Sequence, residues 1–201
     1  MIYLIGVNRC RAQRKKRGEN TTDSQREFQS VIESVIQSID PGLLAEEDHP
    51  DYLFEADADS VLLEIAKAHR IEDRHVFVDP SRAEREAIGY RSSKRIGDIH
   101  PPWPNGSKVA RAHEIAHHFH KREEFWLAGL QDFLHTDILL ACGWGHIESF
   151  SALLARKGVI CSVWANRIGA CPSDLRFDDA VRQYIKDNPA EFNNPSCPCL
   201  R

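Results

Sequence analysis

The sequence predicts an α/β protein, a three-layer sandwich around a mostly parallel sheet of about five strands. Two observations predict it. Five short apolar runs, MIYLIGV, GLLAEE, RHVFVDP, DILLACG and VICSVWA, have the length and composition of strands. Longer stretches with helical spacing separate them, and strand–helix alternation of this kind builds a parallel sheet covered on both faces.

MIYLIGV opens the chain as the first strand. DSQREFQSVIESVIQSI then places Phe28, Val31, Ile32, Val35, Ile36 and Ile39 at three-and-four spacing, with Asp23 as the expected N-cap and Pro41-Gly42 as the stop. GLLAEE is a short strand ending in acid. ADSVLLEIAKAHRI reads as a second amphipathic helix, and RHVFVDP as a strand closed by Pro80. SKVARAHEIAHHFHKREEFWLAGLQDFL reads as helical, with a break near Lys121. DILLACG is a strand, HIESFSALLARKG a helix closed by glycine, VICSVWA a strand, and DLRFDDAVRQYIKDN a final helix.

The 201 residues suffice for one domain with a core. The expectation is a single α/β domain over 1–201, with a long polar excursion at 81–107 and a Cys-containing tail at 187–201. The part of the excursion from Tyr90 to Pro104 is long enough to cover a site. Hydrophobic residues make up 42% and charged residues 28%, ordinary for a globular chain, and the net charge of −4 gives no general argument for nucleic acid or anionic membrane. MIYLIGV is too short for a membrane span, and its basic residues follow it rather than precede it, unlike a signal peptide. A cytoplasmic location is expected. Six cysteines then read as thiols or ligands rather than disulfides. Cys142 and Cys161 fall in strand-like runs. Cys171, Cys197 and Cys199 offer a partial zinc set with no obvious fourth ligand.

Ligands of an open parallel sheet bind beyond the carboxyl ends of its strands. Those ends are Gly6-Val7-Asn8-Arg9, Glu46-Glu47-Asp48, Asp79-Pro80-Ser81-Arg82 with Glu84 and Arg85 close behind, and Cys142-Gly143-Trp144-Gly145-His146. Each residue alone has a structural explanation, but their placement on one edge points to a site. Gly143-Trp144-Gly145-His146 is the most pointed. Its glycines allow a sharp turn out of the strand. A neutral imidazole at the start of the next helix serves as a base or a metal ligand, or else as a buried structural group.

This pattern resembles the TraB/Tiki group, which belongs with the erythromycin-esterase-like and ChaN-like proteins in one α/β superfamily. ILLACGWGHIESFSALLARKGV, residues 138–159, carries the resemblance, and LIGVNRC, LLAEED, FVDPSRAEREAIGY and KREEFW fit in order. The resemblance implies a hydrolase-type site, metal-dependent in Tiki-type members, histidine-based in erythromycin-esterase types and haem-binding in ChaN. It places His146 at the second G-x-x-H histidine, Glu46 or Glu47 at the acid after strand 2, and Arg122 and Glu123 at the helical pair. Arg9 stands where the first histidine would be, and arginine neither ligates a metal nor acts as a base near neutral pH.

HEIAH, residues 113–117, is an H-E-x-x-H motif with three open readings. The first is a zinc-peptidase site, with Glu114 activating a zinc-bound water. Against it, the alternating βα pattern is unlike the antiparallel sheet that normally precedes such helices, and Glu123 stands where a third histidine would continue the motif. The second reading uses His113 or His117 in place of the histidine missing at Arg9. The third is a polar stripe facing solvent.

RCRAQRKKRGEN follows the first strand, and six of residues 9–17 are Arg or Lys. It is a candidate contact for a phosphorylated substrate or other polyanion. The main expectation is hydrolysis of a small-molecule or peptide substrate, with or without a divalent metal (zinc or manganese). Glu47, Asp79 and His146 form the reacting or ligating core, and Arg85 and Arg122 stabilise an anion. The alternative is a non-catalytic anion- or nucleic-acid-binding module using residues 9–17.

Overall fold

The computed structural model describes residues 1–99 and 106–192. Its elements run β1 (Ile2–Val7), β2 (Arg14–Lys16), α1 (Asp23–Ile39), β3 (Leu43–Glu46), α2 (Pro50–Glu55), β4 (Ala58–Ser60), α3 (Val61–Ala68), β5 (His75–Phe77), α4 (Arg82–Ala87), α5 (Ser93–Ile99), α6 (Gly106–His117), α7 (Phe119–Leu130), β6 (Ile138–Gly143), α8 (Ile147–Arg156), β7 (Cys161–Ile168), α9 (Pro172–Asp187) and α10 (Pro189–Phe192). The chain divides into two compact units, Met1–Ser81 with Glu123–Ala170, and Arg82–Arg122 with Cys171–Arg201. Cys197, Cys199 and the end of the polar excursion at 100–105 lie outside the described residues, as does the side chain of Arg9.

The first unit holds a five-stranded, all-parallel sheet in the order β5-β3-β6-β1-β7. Side-chain alternation along the strands makes its three layers. Ile2, Leu4, Leu43, Ala45, Ile138, Leu140 and Cys142 face one side, where Trp126, Leu127 and Leu130 of α7 and Phe150, Leu153 and Leu154 of α8 cover them. Ile5, Val7, Leu44, Leu139 and Ala141 face the other, under Phe28, Ile32 and Val35 of α1 and Val61, Leu62 and Ile65 of α3. Removing one of these large side chains typically costs about 2–5 kcal/mol.

Local chemistry explains the helix ends. Helix α1 is capped one residue before the expected position, by Thr22 rather than Asp23. Thr22 Oγ1 accepts from Gln25 N at 3.3 Å while Gln25 Oε1 accepts from Thr22 N at 2.7 Å, a reciprocal capping box. The expected helix from Ala58 is instead a short strand that pairs antiparallel with Arg14–Lys16, and Ser60 then caps α3 through Leu63 N at 2.9 Å. Pairing with a distant segment overrode the local helical pattern for three residues. The break expected near Lys121 falls earlier, between His117 and Phe119.

In the second unit, α6 packs against α5 and α9 around buried Ile96, Val109, Ala110, Ala112, Phe119 and Val181. Helices α4 and α5 lie within the stretch read from sequence as a polar excursion. Among the described residues, no helix is long and apolar enough to cross a membrane.

Candidate functional site

Strand order creates the site of the first unit. β6 lies between β1 and β3, so the ends of β3 and β6 are neighbours with Glu46 opposite Ala141. That register carries Glu47 to the turn after β6, where its Oε2 accepts from Gly143 N at 2.6 Å. On the other side of β3, Glu46 pairs with Phe77, which brings Asp79 to the same edge. Glu47 and Asp79 are both buried.

After β6, the chain turns through Trp144–His146 into α8, and His146 is buried. Its Nδ1 lies 2.9 Å from Glu123 Oε1. A carboxylate facing Nδ1 accepts a hydrogen bond, which favours the tautomer with its hydrogen on Nδ1. Ser149 Oγ also donates to Glu123. Trp126, one helical turn after Glu123, meets the His146 ring edge-on with centroids 4.8 Å apart, and its Nε1 donates to Asp79 Oδ1 at 3.2 Å. The i, i+3 spacing of Glu and Trp in REEFW therefore puts both side chains around one imidazole. A Cβ added to Gly143 would stand 3.1 Å from Glu47 Oε2 and 3.9 Å from His146 Cδ2, so the glycine lies in a narrow gap beside both groups.

Glu46 stands apart from this group. It accepts from Gln13 Nε2 at 2.7 Å and from Ser60 Oγ, and it faces His75 Nε2 at 2.7 Å. This fully buried carboxylate ties β3 to β5, to the start of α3 and to the turn after β1. Asp48 takes both Nε and Nη2 of Arg14, at 2.7 and 2.6 Å. The bidentate bond to Asp48 raises the Arg14 pKa although burial opposes the charge. Arg17 lies 3.1 Å from Asp59, and Lys16 lies 3.9 Å from Glu19. Three of the six basic residues, Arg14, Lys16 and Arg17, thus meet acids of their own fold, and Arg14–Lys16 is strand.

Five predicted residues, Glu46, Glu47, Asp79, Glu123 and His146, belong to the first unit. Arg85, Arg122, His113 and His117 belong to the second. There the guanidinium carbons of Arg85 and Arg122 lie 5.4 and 5.1 Å from the centre of the Tyr90 ring. Tyr90 OH donates to Glu114 Oε1, and Arg111 Nη1 donates to Glu114 Oε2 at 2.6 Å. Burial pulls the Glu114 pKa upward, but Arg111, Tyr90 and Arg122 outweigh it and hold the carboxyl below its usual range. Burial is the largest cause holding the Tyr90 hydroxyl well above its ordinary value; the Arg122 and Arg85 guanidiniums oppose it, and the charge of Glu114 and the hydrogen bond to it add to it.

HEIAH is not a solvent-facing stripe. His113, Glu114 and His117 are buried, while His120 and Glu124, further along at the same helical spacing, are exposed. His113 Nε2 lies 3.0 Å from Glu191 Oε1. Among the described residues, no group of three or more His, Cys, Asp or Glu side chains could hold a metal ion.

Sequence reasoning missed the partners of Glu46. Gln13, Ser60 and His75 carry no motif, and only strand pairing assembles them. A cavity of about 350 Å³ in the first unit, lined by Leu53, Phe54, Leu63 and Phe77 among others, includes none of the candidate acids or His146. In comparisons with family models, curated proteins and solved structures, nothing matches this chain.

Proposed function

We propose that the protein is a hydrolase whose general base is His146. The observation that carries this reading is the buried Glu123–His146 pair at the carboxyl edge of a parallel sheet. Glu123 accepts from Nδ1 and orients the ring. Nε2 takes a proton from water as the water oxygen bonds to an acyl or phosphoryl centre, then returns it to the departing oxygen or nitrogen. Trp126 confines the imidazole from one side, and Asp79 holds the indole. Glu47 is kept beside the ring by the Gly143 amide. The resemblance to the TraB/Tiki group supports hydrolysis and the choice of His146.

His146 acts as the proposed base at this edge without calling on a metal. Glu47 and Asp79 accept from N–H groups of the protein, which suits anions held by donors more than ligands awaiting a cation. Arg9 occupies the position where the resemblance would supply a histidine.

The test is a panel of chromogenic carboxylic, amide and phosphoric esters, assayed with wild-type protein and with folded His146→Ala. The expected result is hydrolysis of at least one class by the wild type and its loss in the variant. Equal rates in both proteins, or no turnover of any class by the wild type, would sink the proposal.

A further inference from the structure

We infer that the cavity of the first unit is a binding site for a free α-amino acid with a large apolar side chain, such as phenylalanine or leucine. The cavity holds about 350 Å³, near the lower end of the range for small-ligand sites, so it suits one compact molecule. All of its lining residues belong to the first unit.

The walls are apolar. Helix α2 supplies Leu53 and Phe54, α3 supplies Leu63, and β5 supplies Phe77. Leu53 is buried, yet Phe54 beside it is 77% exposed, more than any other large apolar side chain among the described residues. An aromatic ring left in water beside an apolar cavity gains by covering a ligand. Other parts of the wall are fixed in advance. Ser60, which also lines the cavity, caps α3 through Leu63 N at 2.9 Å and donates to Glu46. The Phe77 ring meets the His75 ring edge-on, with centroids 4.7 Å apart. A wall already in place lowers the ordering cost of binding.

Charge selects the ligand. The charged residues that line the cavity are Arg17, Asp59, Glu64 and Lys67. Arg17 Nε donates to Asp59 Oδ1 at 3.1 Å, so those two answer each other. Glu64 and Lys67 are exposed i, i+3 neighbours on α3. Among the described residues, neither side chain has a hydrogen bond or an ion pair, with the other or with any third group. One uncommitted anion and one uncommitted cation beside apolar walls match a molecule that carries an amine, a carboxylate and an apolar group on one carbon. The amine faces Glu64, the carboxylate faces Lys67, and the apolar group enters among Leu53, Phe54, Leu63 and Phe77. An apolar acid answers Lys67 but meets Glu64 as a like charge, and an apolar amine does the reverse.

This site is distinct from the Glu123–His146 pair. Helix α3 covers one face of the sheet, while α7 and α8 cover the other. The inference therefore stands whether or not the protein is a hydrolase.

The experiment titrates the full-length protein with L-phenylalanine and L-leucine by isothermal calorimetry, beside N-acetyl-L-phenylalanine, 2-phenylethylamine and L-serine. Saturable binding of one equivalent is expected for at least one of the two apolar amino acids. Capping the amine or removing the carboxylate should weaken binding by about 5-fold or more, the upper end for an exposed ion pair. L-serine, with both charges and no apolar body, should not saturate. Phe54→Ala should weaken binding about tenfold, and Glu64→Gln and Lys67→Gln about 5-fold each. All three positions are exposed, and circular dichroism checks the fold of each variant. Failure of both apolar amino acids to saturate overturns the site. So does equal affinity for the acetylated acid or for the amine, or unchanged affinity in any of the three variants.

Discussion

Glu123 and His146 share a hydrogen bond of 2.9 Å between two buried side chains that lie 23 residues apart. A strand and two turns separate them in the chain, and the fold closes the distance. The pair favours one tautomer of the imidazole, and the proposed chemistry depends on that tautomer.

Replacing Glu123 with Gln keeps the shape and removes the charge. An amide oxygen still accepts from Nδ1, but an amide nitrogen placed there would force the other tautomer. The expected outcome is a fall in kcat of about 100-fold or more with KM little changed. His146→Ala should abolish turnover and lower the unfolding free energy by about 3 kcal/mol, because it strands a buried carboxylate. Steady-state kinetics and urea denaturation check the two parts separately.

Glu46 should matter for stability rather than rate. Glu46→Ala leaves Gln13, Ser60 and His75 without their common acceptor inside the fold. The expected loss is about 3–5 kcal/mol by urea denaturation, with a smaller loss for Glu46→Gln. A midpoint unchanged by Glu46→Ala would show that the three donors find other partners.

Gly143→Ala tests the gap beside Glu47. The backbone there is in an ordinary extended conformation, with φ −55° and ψ 132°, so the new methyl acts by contact alone. At 3.1 Å from Glu47 Oε2 it must push the carboxylate away by a few tenths of an ångström. Activity should fall more than thermal stability does. A melting temperature lowered as far as in His146→Ala, with full activity per folded molecule, would contradict a role for this carboxylate.

Acid should destabilise the second unit through His117. Its folded pKa lies below the ordinary value, so the unfolded chain binds the proton first as pH falls. Stability is therefore full above about pH 6.5 and declines below it. Glu114, also lowered, adds a second loss as pH falls through the ordinary carboxylate range near about 4.3. Melting temperatures measured between about pH 8 and about pH 5 should fall less steeply for His117→Gln than for the wild type. Parallel profiles would count against His117.

Much of the architecture was legible in the chain itself. The apolar runs LLAE and ILLACG needed no partner to be recognised, and the glycine turn before His146 marked a strand end. Periodicity and turn chemistry are local, so sequence alone reveals them. Glu47, Asp79 and His146 could be assigned to one edge because a parallel sheet puts every strand's carboxyl end on the same side.

Tertiary structure decided what those residues touch. Placing β6 between β1 and β3 is a choice of strand order, and it alone sets Glu47 against Gly143. Antiparallel pairing with Arg14–Lys16 turned Ala58–Ser60 from expected helix into strand and delivered Ser60 to Glu46. The side of α6 that carries His113 and His117 was buried because α10 returns over it with Glu191 and Phe192, a contact 78 residues distant along the chain for His113 and Glu191. Polar residues at helical spacing look alike whether they face water or a neighbouring helix. What separates the two cases is the free energy of long-range packing, which no local window contains.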